Sequence, residues 1–238
     1  MIFDKIEKSR LSKGYFCFAL IDPDIKNDKI LQDLIDKINC SNFDGILVGG
    51  SLIQDSNFDK RIKYIKQNSE LPVLIFPGSS NQISKHADGI LYLNLISGRN
   101  PQYLIDEQVK SAPIIYNLKI EPIPTAYILL ESNYKTGVEI ISNTKPLPMD
   151  HVEIILAHAL AGEFMGNKLI FFDCGSGADK TVAKDVIQII KKYVKIPIMV
   201  GGGITDNENL KDLISAGADY IVIGTALEKM PTEYIKNM

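Results

Sequence analysis

Eight short apolar runs, separated by longer polar or amphipathic stretches, recur along the chain, and this rhythm limits the available folds more than any other feature. The runs are YFCFALID (15–22), DGILVGG (44–50), PVLIFPG (72–78), DGILYLNL (88–95), TAYILLE (125–131), KLIFFD (168–173), IPIMVGGG (196–203) and DYIVIGTA (219–226). Most are continuous β-branched and aromatic runs without polar alternation, the pattern of parallel strands covered on both faces. Among the intervening stretches, TVAKDVIQIIKKY predicts a helix with Val182, Val186, Ile189, Ile190 and Tyr193 on one face and lysines opposite. Gly217 in SAGADYIVIGTA falls where a helix ends before a buried strand. Strand and helix repeated eight times in 238 residues predict an α/β chain folded as a (β/α)₈ barrel, with a doubly wound sheet as the alternative.

Two places break the rhythm. GSSNQISKHA (78–87) is too short and polar for a full barrel helix, and residues 132–150, SNYKTGVEIISNTKPLPMD, form a long insert, either a loop of the active-site face or a surface excursion. No linker, low-complexity tract or tandem repeat divides the chain, so one domain over residues 1–238 is expected. A hydrophobic content of 45% supports a sizeable core, and a net charge of −3 offers no basic face for nucleic acid. Cys17, Cys40 and Cys174 form no CxxC pair, which points to a reducing cytoplasm instead of a disulfide framework or zinc site. The N-terminal MIFDKIEKSRLSKG lacks the apolar core of a signal peptide, and no apolar run reaches transmembrane length.

Barrel geometry gathers the C-terminal strand ends on one face, so the residues that follow each run are candidates for chemistry. Asp173-Cys174-Gly175-Ser176-Gly177, Gly201-Gly202-Gly203 and Gly224-Thr225 end three consecutive runs and suit a phosphate held by backbone amides. Glycines chosen for tight turns would give the same letters. Asp22, Asp24 and Ser51 would sit on neighbouring strands as hard oxygen ligands for Mg²⁺, although Asp22 could equally cap the helix that follows. His151 and His158 lie seven apart, two turns along one helix, with no third ligand apparent, so they read as packing or surface residues; His86 is isolated.

LIDPD (20–24), DGILVGGS (44–51), EPIPTAYILLE (121–131), KPLPMDHVEIILAHALAGEFMG (145–166), FFDCGSGA (171–178), VGGGI (200–204) and GTALEK (224–229) together resemble the geranylgeranylglyceryl phosphate synthases and the related bacterial heptaprenylglyceryl phosphate synthases. Order and spacing are closer to the larger, archaeal-type group. The resemblance implies a modified TIM barrel whose third helix is replaced by a short loop at GSSNQISKHA. It implies transfer of a geranylgeranyl or other long prenyl group from its diphosphate to the 3-hydroxyl of sn-glycerol 1-phosphate, with release of pyrophosphate. It places Mg²⁺ at Asp22 and Ser51, glycerol phosphate at Phe171, Phe172, Asp173, Cys174, Gly175, Ser176, Gly177, Gly202, Gly203, Gly224 and Thr225, and the catalytic acid at Asp173. A homo-oligomer, dimer or hexamer, and transient contact with a membrane surface are further expectations. The family's usual tyrosine and glutamate are Phe171 and Asp173 here, which removes a phosphate-directed hydroxyl and shortens the acid by a methylene; the family's common glycine before the tyrosine of the fifth strand is Ala126. The alternatives are another phosphate-binding barrel enzyme and a non-catalytic protein that binds prenyl diphosphate or phosphate.

Overall fold

In the computed structural model, residues 1–229 are described; positions 230–238 of the expected domain lie outside the described residues. The eight runs form strands β1 (Phe16–Ile21), β2 (Gly45–Val48), β3 (Val73–Ile75), β4 (Gly89–Leu95), β5 (Glu121–Leu129), β6 (Leu169–Asp173), β7 (Ile198–Gly201) and β8 (Tyr220–Ile223). All neighbours pair in parallel, and β1 closes on β8 with Phe16 opposite Tyr220, which makes a TIM barrel. The described helices are α1 (Ile2–Lys13), α2 (Leu31–Asn39), α3 (Phe58–Gln67), α4 (Glu107–Leu118), α5 (Gly137–Ser142), α6 (Val152–Phe164), α7 (Lys184–Tyr193), α8 (Asn207–Ala216) and α9 (Thr225–Lys229), with a 3₁₀ turn at Ile25–Asn27 and a π turn at Gln102–Asp106. None is long and apolar enough to cross a membrane.

The period of two along each strand splits the core into two layers. Phe16, Phe18, Leu47, Leu91, Tyr127, Phe171, Met199 and Tyr220 fill the barrel. Cys17, Ala19, Ile46, Val48, Ile170, Phe172, Cys174 and Val200 pack outward against the helices. Each fully buried large apolar side chain stabilises the fold by about 1.5–3 kcal/mol, which is why both faces of the strands read as apolar. One end of the barrel is plugged by α1, whose Phe3 and Ile6 join the interior layer, with Phe3 and Tyr220 ring centroids 6.5 Å apart. Arg10 fixes this plug by donating to Asp219 at 2.8 Å and to Glu7 at 3.0 Å.

Between β3 and β4 the chain crosses without a helix, as expected for GSSNQISKHA. Side chains hold this crossing: Gln82 donates to the Gly50 carbonyl at 2.7 Å and accepts from the Gly78 amide at 3.1 Å, and Ser84 donates to Asp59 at 2.7 Å. The 132–150 insert is part of the active-site face: it folds into α5, capped by Thr136; Gly137, Val138 and Ile141 line the cavity at this face; and the chain returns to the barrel beyond β5, where Leu147 bridges Leu130.

Three expectations are corrected. Strand β5 starts at Glu121 and not at 125, despite Pro122 and Pro124. Lys168 donates to the Pro124 carbonyl, so these proline nitrogens face the side where β6 has not yet begun and no ladder bond is lost. Helix α7 buries Val186, Ile187 and Ile190, whereas Tyr193 is 58% exposed, because the helix starts at Lys184 and its inner stripe is rotated by one position. His151 precedes α6 and accompanies Glu153 at the surface, while His158 lies within the helix against the Ile154 carbonyl, so they do not share a helix.

Helix α6 approaches β5 closely at Gly162, where a Cβ would lie 2.5 Å from the Ala126 methyl. Gly162→Ala is therefore expected to lower unfolding free energy by about 1–3 kcal/mol, through overpacking. Chemical denaturation should show this loss, and the exchange Ala126→Gly with Gly162→Ala should recover most of it.

Candidate active site

The C-terminal ends of the strands surround one cavity of about 650 Å³. Asp22, Lys26, Gly50 and Ser51 line it from the β1 and β2 ends, Phe76 and Gly78 from β3, and Asp173, Ser176, Gly177, Gly202, Gly203, Gly224 and Thr225 from β6, β7 and β8. An apolar arm of its lining, Ile83, Ile90 and Tyr92 with Tyr103 and Val138, lies beside the helix-free crossing between β3 and β4.

Parallel pairing sets β6, β7 and β8 side by side, so the three glycine-bearing loops meet. Gly202 and Gly203 have φ of 83° and 70°, the left-handed region that penalises a Cβ. A Cβ on Gly203 would also lie 2.2 Å from the Lys180 carbonyl carbon. Thr225 joins the outer two loops by accepting from the Gly177 amide at 3.2 Å, with the Ser176 hydroxyl 3.4 Å away. The result is a concave, amide-rich surface suited to an anion.

Asp173 ends β6 pointing into the barrel mouth and is 7% exposed. Its Oδ2 accepts from the Tyr127 hydroxyl at 2.5 Å and its Oδ1 from the Gly175 amide at 2.7 Å. Burial raises the Asp173 carboxyl above the usual carboxylate value, and these two hydrogen bonds oppose the rise. Burial and the Asp173 charge push the Tyr127 hydroxyl well above its ordinary value, which keeps it protonated as the donor. Tyr127 is the residue that the sequence reading passed over as a partner. Its signal was strand parity: Tyr127 stands opposite Phe171 in register, two positions before the end of β5, and so shares the interior with Asp173.

Not every expected residue reaches the cavity with its side chain. Phe172 and Cys174 point outward into the helix layer, and the Cys174 amide is already used on the Gly201 carbonyl. Alternation along the strand requires this, and neither residue lines the cavity. Phe171 lies inside the barrel but is 1% exposed, packed with Phe76 and Tyr127 at centroid distances of 5.1 and 5.4 Å. The Gly175 amide serves the acid.

At the β1 end, next round the barrel from β8, Asp22 Oδ2 pairs with Lys26 at 2.6 Å, while Oδ1 is buried without a hydrogen-bond partner. Gly50 leaves that oxygen room, since a Cβ there would come within 2.8 Å of it. The bond to Asp22 raises the Lys26 ammonium, the one cation lining the cavity among the described residues. The capping role considered for Asp22 belongs to Asp24, which accepts from the Lys26 amide at 3.2 Å. Among the described residues no group of three His, Cys, Asp or Glu side chains is arranged to hold a metal by itself. Asp22 Oδ1 and the Ser51 hydroxyl are hard oxygen donors on adjacent loops, a donor set that would fit Mg²⁺.

A closed eight-stranded barrel with an anion-binding rim at its last three strands defines the class of phosphate-binding TIM barrels. Within that class the PcrB family description matches residues 7–238, and the chain belongs to this family. Geranylgeranylglyceryl phosphate synthase of Flavobacterium johnsoniae is 48% identical over 209 residues, covering 88% of this chain and 86% of the relative. The synthase of the same name from Pyrococcus furiosus is 39% identical over 228 residues, covering 95% and 88%. Among solved structures, (S)-3-O-geranylgeranylglyceryl phosphate synthase from Thermoplasma acidophilum in complex with its substrate sn-glycerol 1-phosphate superposes with a TM-score of 0.87, at 34% identity, over 97% of this chain and 98% of that one.

Gly203→Ala is expected to displace the β7 loop and weaken binding of inorganic phosphate about tenfold, the equivalent of the ~1–2 kcal/mol penalty for a left-handed residue with a Cβ. Isothermal titration calorimetry on the folded variant checks this.

Proposed function

We propose that the protein is a geranylgeranylglyceryl phosphate synthase, joining a geranylgeranyl group from its diphosphate to the 3-hydroxyl of sn-glycerol 1-phosphate. The observation that carries this reading is one cavity that combines an amide cradle, a buried acid and an apolar arm. The relatives of that name and the Thermoplasma acidophilum complex support it.

In this reading the glycerol phosphate sits on the β6, β7 and β8 loops with its free hydroxyl toward Asp173. The prenyl chain lies in the apolar arm, and its diphosphate faces Lys26, Asp22 and Ser51. The oxygen of the 3-hydroxyl forms a bond to the allylic carbon as the bond from that carbon to diphosphate breaks, and Asp173 takes the hydroxyl proton. Asp22 and Ser51 would hold Mg²⁺, which when bound would supply positive charge to stabilise the departing pyrophosphate. Tyr127 and Gly175 keep the shortened Asp173 side chain fixed in one orientation, and holding both substrates in place lowers the barrier by several kcal/mol. A reducing cytoplasm suits the free cysteines, and the exposed Val109, Tyr116, Phe164 and Met165 on and beside α4 and α6 suit a homo-oligomer.

Mass spectrometry of product from sn-glycerol 1-phosphate and a set of prenyl diphosphates tests the reading directly. A geranylgeranyl ether formed from the 1-phosphate and not from sn-glycerol 3-phosphate is expected. Binding of both substrates without product would instead support a non-catalytic binding protein. Asp173→Asn should lower kcat by about 10²–10⁴-fold, the range for loss of a general base. Tyr127→Phe removes a bond that lowers the Asp173 pKa, so the acidic limb of its pH–rate profile should move to higher pH.

A further inference from the structure

The chain has three arginines among 26 basic residues, and the one in α3, Arg61, is 5% exposed. Its five N–H donors are all used within the protein. Nε donates to Asp28 Oδ1 at 2.5 Å, Nη2 to Asp28 Oδ2 at 2.8 Å and Asp55 Oδ2 at 2.7 Å, and Nη1 to Asp55 Oδ1 at 2.7 Å and the Pro23 carbonyl at 2.9 Å. Pro23 follows Asp22 directly, and Asp28 ends the 3₁₀ turn of the same loop. Asp55 lies four residues beyond Ser51, and its Oδ1 also accepts from the Asn57 amide at 2.9 Å. One guanidinium therefore ties the loop that carries Asp22 to the loop that carries Ser51. Arg61, Asp28 and Asp55 do not line the cavity.

We propose that Arg61 is a positioning residue for the Mg²⁺–diphosphate end of the site. The inference rests on the reading of Asp22 and Ser51 given above. Two effects follow from the geometry. A planar fork engaging two carboxylates fixes the separation of the loops in a way that a lysine ammonium does not. By occupying all four oxygens of Asp28 and Asp55, it also removes two nearby carboxylates from competition for a cation, leaving Asp22 Oδ1 as the buried carboxylate oxygen without a partner among the described residues.

Calorimetric binding of inorganic pyrophosphate with Mg²⁺, and separately of sn-glycerol 1-phosphate, tests this on Arg61→Lys, Asp55→Asn and Asp22→Asn. Arg61→Lys and Asp55→Asn are expected to weaken Mg²⁺–pyrophosphate binding about tenfold, as loss of a partner that orients a metal ligand does, and to leave sn-glycerol 1-phosphate binding unchanged. The KM for prenyl diphosphate should rise in the same two variants without a matching rise for glycerol phosphate. Equal weakening of both ligands would reduce Arg61 to a general stabiliser of the fold, and unchanged Mg²⁺–pyrophosphate binding in a folded variant would overturn the proposal. If Arg61→Lys does not fold, Asp55→Asn decides by the same readouts, since it removes half of the clamp at a partly exposed position. Asp22→Asn separates the two levels of inference: unchanged Mg²⁺–pyrophosphate binding there would remove the metal reading itself, and the clamp's role with it.

Discussion

A parallel sheet that closes on itself has no edge, and that closure governs everything else in this molecule. Each strand must be followed by a crossing to the opposite end of the next, so all eight C-terminal strand ends share one rim. Helix α1 fills the other end with Phe3 and Ile6. The cavity consequently forms where backbone amides and strand-terminal side chains converge, and part of its apolar lining comes from the crossing that omits its helix.

The same closure sets the chemistry of the acid. Placing Asp173 at the inner end of β6 removes it from water, which disfavours its charged form, and the Tyr127 hydroxyl and Gly175 amide restrain that shift. Phe76, Tyr127 and Phe171 pack together, and the Tyr127 hydroxyl and Gly175 amide each hold one oxygen of Asp173.

The architecture was legible because strands buried on both faces leave unbroken apolar runs, as in KLIFFD and DYIVIGTA, and because GSSNQISKHA is too polar for a barrel helix. The glycine-bearing loops were legible for a related reason: consecutive parallel strands are neighbours, so their ends meet. Strand parity, also present in the letters, should have excluded Phe172 and Cys174 as side-chain contacts. What could not be read were bonds between distant segments. Tyr127 meets Asp173 across 46 positions and Arg61 meets Asp28 across 33, and neither pairing leaves a local spacing. The start of β5 was hidden by prolines whose harmlessness depends on where the neighbouring strand begins.

The helix-free crossing after β3 has one more consequence. Helices cover the outer faces of the other strands, but near Ile83 and Ile90 the barrel wall borders the cavity instead of a helix. A prenyl chain lying there would complete the outer layer as a helix does elsewhere, covering Ile83 and Tyr92, which the protein by itself leaves half-buried. Substrate would then act as a removable piece of the fold, and the resistance of the protein to heat would rise and fall with its lipid supply.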